Sequence, residues 1–373
     1  MAAFWAFVPH PLPPDIGFDR SLVRVLSDAT QALGELGGLA RNLANPYLFI
    51  GPFVSREAVA SSRIEGTEAD VEDLYAYEAG QRLLPGMEAR APESDVREVR
   101  NYVTALNYGL KRLETLPVSL RLIGEVHRRL LRRVRGDKRA PGEFRRSQNW
   151  IGPPGCTLSE ATYVPPPVPE MKDALGAWEK YLHAEDDYPA LVRLAFIHYQ
   201  FEAIHPFIDG NGRIGRLLLS LLTVNWGLLP HPLLYLSSYF ERHRDAYYDL
   251  LLAVTTHGAW PEWVAFFLRG VAEQSEDAVT RTRRLQDLQA EWRRRVTTAR
   301  TSANLLNLLD HLFATPIVTI PRAQKVLGIT YQAAKRHVDR LVGNGILKQI
   351  SEGSYDKTYI APEIMDIIRG DGE

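Results

Sequence analysis

Chemistry is concentrated in one short run, His205-Pro206-Phe207-Ile208-Asp209-Gly210-Asn211-Gly212-Arg213-Ile214-Gly215-Arg216. A histidine can be neutral near pH 7, so His205 can take a proton from an attacking hydroxyl. Asp209 is a hard oxygen ligand of the kind that holds Mg2+ beside a polyphosphate. Arg213 and Arg216 stand three apart and can both form charge-assisted bonds to phosphate oxygens from one helical turn. The glycines of the Gly210-Asn211-Gly212 turn let phosphate oxygens come close to the backbone. This turn opens onto a helix N-terminus, whose N–H groups and positive dipole end form an anion site. The run fits a phosphate-handling site.

Two helices must position it. Leu191, Leu194, Ile197, Phe201 and Ile204 recur at helical spacing, so a helix delivers His205 at its C-terminal end. Ile214, Leu217, Leu218, Leu221 and Leu222 mark a second buried helix downstream. Elsewhere, helical periodicity starts near Ser21, with Leu22, Leu26 and Leu33 on one side, and Gly37-Gly38 should end it. A second helical stretch over about residues 55–60 leads to Gly66, a helix stop, and residues 80–95 read as loop. From Asp95 to about Leu268 the pattern is helical, with β-prone segments at 149–151 and 162–164 that predict a hairpin. Residues 276–300 place Leu285, Leu288, Trp292 and Val296 on one stripe of a connecting helix.

The last seventy residues differ in texture. A helix over 304–312, a short helix over 320–326, a turn at Gly328 and a helix N-capped by Thr330 precede two β-prone segments, 346–350 and 357–360. That is the order of a winged helix-turn-helix. The division expected is 1–94, an N-terminal helical extension; 95–275, the body carrying the run; 276–300, the connecting helix; and 301–373, the winged helix.

Composition narrows the class. The chain has 373 residues, 45% hydrophobic and 24% charged, which fits a soluble globular protein of about two to three domains. Net charge is −1, so no global field draws it to nucleic acid or lipid, although a local basic surface stays open. The single cysteine, Cys156, excludes a disulfide framework and a Cys-based zinc site. The N-terminus lacks a basic n-region, and the apolar stretch 217–230 is too short to span a bilayer. A cytoplasmic protein with no membrane partner is expected.

The run at 205–216 resembles the signature of the Fic (filamentation induced by cAMP) family, HxFx(D/E)GNGRxxR, at every fixed position. Residues 141–166 are similar to the family's flap hairpin, and the SSRIEGT segment at 61–67 to its N-terminal extension. The resemblance implies a mainly α-helical Fic fold with a β-hairpin flap, and AMP transfer from ATP to a Ser, Thr or Tyr hydroxyl of a target protein aligned along the flap at 149–164. It makes His205 the general base and Asp209 the Mg2+ ligand. Gly210, Asn211 and Gly212 become the anion hole, and Arg213 and Arg216 bind the β/γ end of the nucleotide. Relatives that transfer phosphate carry Lys where this chain has Gly212, so the α-phosphate is expected to be attacked. Tyr247 and Tyr248 match a tyrosine pair near the nucleotide in relatives, with core packing as the alternative. Thr255 stands where some relatives have Asn. Ser61, Glu65 and Gly66 fit the inhibitory motif (S/T)xxxE(G/N), whose glutamate pairs with the last arginine of the signature, here Arg216, and excludes the γ-phosphate.

Partners are less defined. Lys335, Arg336 and Arg340 on the expected recognition helix suit DNA phosphates, yet residues 300–373 hold nine Lys/Arg against eight Asp/Glu, which favours a protein contact. A homodimer is a further option. Two other readings stay open: an enzyme that removes AMP, using Glu65 to position water, and a transcription regulator that only senses nucleotide. An intact His205 argues against the second.

Overall fold

The computed structural model describes residues 4–43, 45–79, 91–153, 155–298, 301–350 and 357–370. In chain order the helices are α1 (Arg20–Arg41), α2 (Tyr47–Ile64), α3 (Val71–Glu78), α4 (Glu93–Arg112), α5 (Leu120–Leu130), α6 (Val168–Leu182), α7 (Ala190–Ile204) and α8 (Asn211–Asn225). There follow α9 (Ser237–Arg242), α10 (Arg244–His257), α11 (Trp260–Val296) and α12 (Ala303–Ala314). The chain closes with β1 (Ile317–Thr319), α13 (Ile320–Leu327), α14 (Tyr331–Gly343), β2 (Lys348–Gln349), β3 (Thr358–Ile360) and α15 (Pro362–Arg369). The protein is mainly helical, and it divides into two compact units, Met1–Gly37 with Asn101–Glu276 and Gly38–Arg100 with Asp277–Glu373.

The first unit is built on α7 and α8. Every apolar position that the spacing singled out on them, from Leu191 to Leu222, is buried. Trp178 and Trp263 pin α7 by donating indole N–H bonds to the carbonyls of Ile197 (3.0 Å) and Ala195 (2.9 Å). The expected hairpin at 149–164 shrinks to one antiparallel pair, Ile151 with Tyr163, exchanging bonds of 2.9 and 3.0 Å. Pro153 and Pro165 lie two residues beyond the bridge on each arm, and proline cannot donate to a ladder. Helix α1 does not stop at Gly37-Gly38 but runs to Arg41. Leu36 and Ala40 are buried there, and that burial outweighs a cost of about 1 kcal/mol per glycine.

In the second unit α2 reaches back to Tyr47, well before the expected start, because Phe49, Ile50 and Phe53 are all buried. Its Gly51 has no Cβ for a reason: one would stand 2.9 Å from the Ala314 carbonyl oxygen of α12. The stripe Leu285, Leu288, Trp292 and Val296 is buried, as its spacing implies. Thr319 and Thr330 cap α13 and α14 through bonds from the amides of Arg322 and Ala333, both 3.3 Å. A small antiparallel sheet has the order β1-β3-β2, with Ile317 opposite Ile360 and Gln349 opposite Tyr359. Strand β1 and helix α15 were not foreseen. Residues 351–356 between β2 and β3 lie outside the described residues, as do 80–90 of the expected loop; the rest of that loop is helical from Glu93.

Candidate active site

His205 ends α7 in a left-handed conformation, φ 48 and ψ 60, which is uncommon for any residue but glycine. Its carbonyl accepts bonds from Arg145 Nε (3.0 Å) and Asn149 Nδ2 (3.4 Å), and these hold the turn. The ring Nδ1 lies 3.3 Å from the Glu202 carbonyl oxygen. A carbonyl can only accept, so the neutral ring carries its proton on Nδ1 and keeps the lone pair on Nε2. That is the form a general base needs.

The following turn is closed by side chains. Phe207 N donates to Asn211 Oδ1 (2.8 Å), and Asn211 Nδ2 donates back to the Phe207 carbonyl (2.9 Å). Asn149 Nδ2 joins at the same carbonyl, 2.8 Å away. The buried Asn211 side chain therefore shapes the loop, while its backbone opens α8 three residues before the apolar stripe begins at Ile214. Gly210 is the N-cap with φ 80, a conformation that favours glycine. First-turn amides of a helix, here those of Asn211 and Gly212, have no carbonyl within the helix to bond and can meet an anion. Gly215 is needed for a different reason, since a Cβ there would collide with the Glu202 carboxylate.

Arg213 and Arg216 are both buried at the start of α8. Arg213 Nη2 lies 3.4 Å from Asp209 Oδ1, and the Asp209 side chain keeps 31% exposure. The Asp209 carbonyl is bound by a residue that sequence reasoning missed. His127 Nε2 is 2.9 Å from it, and His127 Nδ1 accepts the Gly142 N–H at 2.8 Å. The two bonds fix one tautomer, with the proton on Nε2. The ring also stacks on Phe207, centroids 3.7 Å apart. Burial pulls His127 down to about 4, and the charge of Arg213 adds to this, so it is neutral at pH 7. Its signal was available: one polar residue on the apolar face of α5, among Ile123, Val126 and Leu130.

Arg145 was missed too. It is buried, and its guanidinium donates to the carbonyls of His205, Ser147 (3.3 Å) and Pro166. Burial lowers it to about 10, which still leaves it charged at neutral pH. Tyr247 is in the core with its hydroxyl 2.9 Å from His198 Nε2, whereas Tyr248 is 41% exposed. Thr255 Oγ1 pairs with the Tyr199 hydroxyl at 2.9 Å.

Ser61, Glu65 and Gly66 belong to the second unit. Ser61 is buried in α2, and Glu65 is the residue after its last turn. Gly66 (φ 92) donates to the Arg63 carbonyl at 2.9 Å and Thr67 to that of Ser62 at 3.2 Å. This is a Schellman ending, which fixes the position of Glu65 on α2. Of the three cations on α14, Lys335 pairs with Asp339 at 2.6 Å and Arg340 binds the Val296 carbonyl at 3.0 Å. Arg336 is exposed.

Comparison with known proteins identifies the family. The Fic/DOC family N-terminal model matches residues 23–111, and the Fic/DOC family model matches residues 117–223. The chain belongs to the Fic/DOC family. It is 31% identical over 161 residues to the Protein adenylyltransferase Fic of Culex quinquefasciatus, covering 43% of this chain and 28% of that protein. The Aedes aegypti protein of the same name is 32% identical over the same length and is covered to the same 28%. The chain thus spans under a third of these curated relatives. A Fic family protein from Desulfovibrio desulfuricans G20 shares the fold, with a TM-score of 0.60 at 21% identity over 94% of this chain and 98% of that one. C. elegans Fic-1 gives 0.51 over 72% of this chain and 74% of that chain, also at 21% identity. Among the described residues no helix is long and apolar enough to cross a membrane.

Proposed function

We propose that this chain transfers AMP from ATP to a Ser, Thr or Tyr hydroxyl of a target protein. The observation that carries the reading is the His205 ring, held so that Nε2 is the acceptor beside the N-terminus of α8. Nε2 takes the hydroxyl proton as the oxygen attacks the α-phosphorus, the bond to the β-phosphate oxygen breaks, and pyrophosphate leaves. The amides of Asn211 and Gly212 receive phosphate oxygens, and Arg213 and Arg216 bind the β/γ end. Gly212, where relatives that transfer phosphate carry Lys, favours attack at the α-phosphate.

Among the described residues no group of three His, Cys, Asp or Glu side chains could hold a metal ion. One partly exposed carboxylate, Asp209, nevertheless suits Mg2+, which is commonly bound by one or two carboxylates together with substrate phosphates and water. The ion would neutralise phosphate charge. Tyr248, exposed and beside Arg244, is the member of the tyrosine pair that would meet an adenine, and Tyr247 packs against it from the core.

Incubation with labelled ATP and Mg2+ tests the reading. His205→Ala should lower labelling by about 10²–10⁴-fold while ATP still binds. Wild-type labelling by that variant would remove His205 from the mechanism.

In the same reading Glu65 inhibits by competing with the γ-phosphate for Arg216. A charge-assisted bond is worth about 1.5–3 kcal/mol, so Glu65→Gly should raise labelling roughly 10- to 150-fold. Equal labelling would sink the inhibitory role. We read residues 301–373 as a winged helix-turn-helix, supported by the order of α12 to β3. The ties on Lys335 and Arg340 favour a protein partner over DNA. Residues 95–275 would then be the catalytic body, 1–94 its inhibitory extension and 276–300 the connecting helix, in a cytoplasmic protein.

A further inference from the structure

A basic loop borders the site, and the chemistry above does not use it. Residues 128–146 hold nine Lys/Arg against two Asp/Glu, in a chain whose net charge is −1. Two of the nine are structural: Arg145, described above, and Arg129, whose guanidinium lies 3.2 Å over the Tyr108 ring. Arg128, Arg132, Arg133, Lys138 and Arg139 are exposed. Among the described residues none of Arg132, Arg133, Lys138 and Arg139 pairs with a carboxylate.

This charge is carried on an ordered scaffold. Four residues of the loop are left-handed, Arg133 (φ 57), Gly136 (φ 87), Ala140 (φ 52) and Gly142 (φ 87), and two of these are not glycine. Such conformations persist only where the surroundings impose them. Turn bonds do so here, from Asp137 N to the Val134 carbonyl (3.0 Å), Arg139 N to Gly136 (2.9 Å) and Glu143 N to Ala140 (3.0 Å). Asn101 Nδ2 grips the carbonyls of Leu130 (3.1 Å) and Arg132 (2.8 Å). The loop also touches the site. A Cβ on Gly136 would stand 2.8 Å from Asp209 Oδ2, and Gly142 N is bound to His127. Six residues after Glu143 the first flap arm begins.

Like charges crowded on a rigid loop repel one another, and an anionic partner would relieve this. We propose that the loop docks an acidic segment of the protein that presents the acceptor hydroxyl. The acceptor half of this statement rests on the AMP-transfer reading; the docking surface does not. Position favours a polypeptide over nucleic acid. The loop leads into the flap, whose exposed Trp150 and Ile151 offer apolar contact beside the cations, and the chain as a whole lacks a basic excess.

The test uses the full chain and two fluorescent probes, a glutamate-rich peptide containing one threonine and a DNA duplex. Wild type should bind the peptide with an affinity that falls steeply as salt rises. Arg132→Glu/Lys138→Glu/Arg139→Glu should weaken binding at low salt by about 10-fold or more. Arg132→Lys/Arg139→Lys should bind like wild type, and matching melting temperatures confirm that all three fold. Equal affinity of wild type and the charge-reversed chain overturns the proposal, and so does tighter loop-dependent binding of the duplex than of the peptide. Labelled-ATP transfer by wild type and by Glu65→Gly, the variant relieved of inhibition, is read in parallel. Its absence alongside loop-dependent peptide binding sinks the AMP-transfer reading alone, whereas transfer without peptide binding sinks the docking surface alone.

Discussion

The signature turn and the flap follow each other in space but are built in opposite ways. Around the turn, three side chains from distant parts of the chain hold main-chain atoms: Arg145 and Asn149 at the His205 carbonyl, Asn149 again, beside Asn211 of the turn itself, at Phe207, and His127 at Asp209. The base of the flap is tied to the body, with Tyr163 Oη donating to the Ala203 carbonyl (2.6 Å) and the Val164 carbonyl accepting from Phe7 N (2.9 Å). Among the described residues, however, the hydrogen bonds of its tip, 152–162, stay within the flap. Trp150 Nε1 donates to the Cys156 carbonyl (3.0 Å), and Thr157 N to the Glu160 carboxylate (2.9 Å). The difference has a chemical sense. In the proposed AMP transfer, phosphate chemistry would need donors fixed to a fraction of an ångström, while a flap that reads main chain would gain from adapting.

Arg145 is where the two meet, so it is the place to break the contrast. Its guanidinium serves His205 on the turn and Ser147 and Pro166 just outside the two flap arms. Arg145→Met removes all three donors at once. The Pro166 carbonyl is left buried without this donor, while that of His205 keeps Asn149 and Ser147 is exposed, so a loss of about 1–3 kcal/mol in urea unfolding is expected, together with loss of labelling. Arg145→Lys should recover only part of this, because an ammonium cannot span the planar fork. A variant with wild-type stability would show that the turn and the flap are held independently.

Acid should act on the rigid side. His127 lies near 4 and His198 near 3, each lowered first by burial and then by a neighbouring arginine, Arg213 or Arg216. The unfolded chain binds protons at both below about pH 6.5, and the folded chain does not. Stability is therefore complete above that pH and falls as the pH drops toward 4. By pH 5 each histidine should cost about 2 kcal/mol, read from urea unfolding at pH 7 and pH 5. His127→Gln should flatten the dependence. An unchanged slope would mean that the ring is protonated in the folded state.

The same contrast governs what could be read from sequence. The turn was legible because its residues are local: His205 to Arg216 spans twelve positions, and the apolar spacing on either side named α7 and α8. His127, Arg145 and Asn149 were not, because each bonds a carbonyl 56 to 82 positions away, and a carbonyl has no sequence signature. The flap was over-read, since Asn149–Ile151 and Thr162–Val164 have strand character that nearby prolines prevent from pairing further. Strand β1 escaped because three residues carry no period, and its place comes from Ile317 and Val318 packing in the second unit.

The smallest stability effect should come from the flap tip, and it separates reading a partner from holding the fold. Trp150 is 41% exposed and bonds only within the flap. Trp150→Ala removes one exposed hydrogen bond and little buried area, so stability should change by no more than about 1 kcal/mol. The chemistry at His205 does not involve the indole, so self-labelling with ATP should persist. An acceptor aligned along the flap would lose an aromatic contact, and an exposed indole is the kind of side chain that anchors partners. Labelling of an acceptor protein supplied in trans should then fall by about 10-fold or more, with the effect in KM rather than kcat. Loss of both activities together would place Trp150 in the rigid half of the site and erase the contrast between turn and flap.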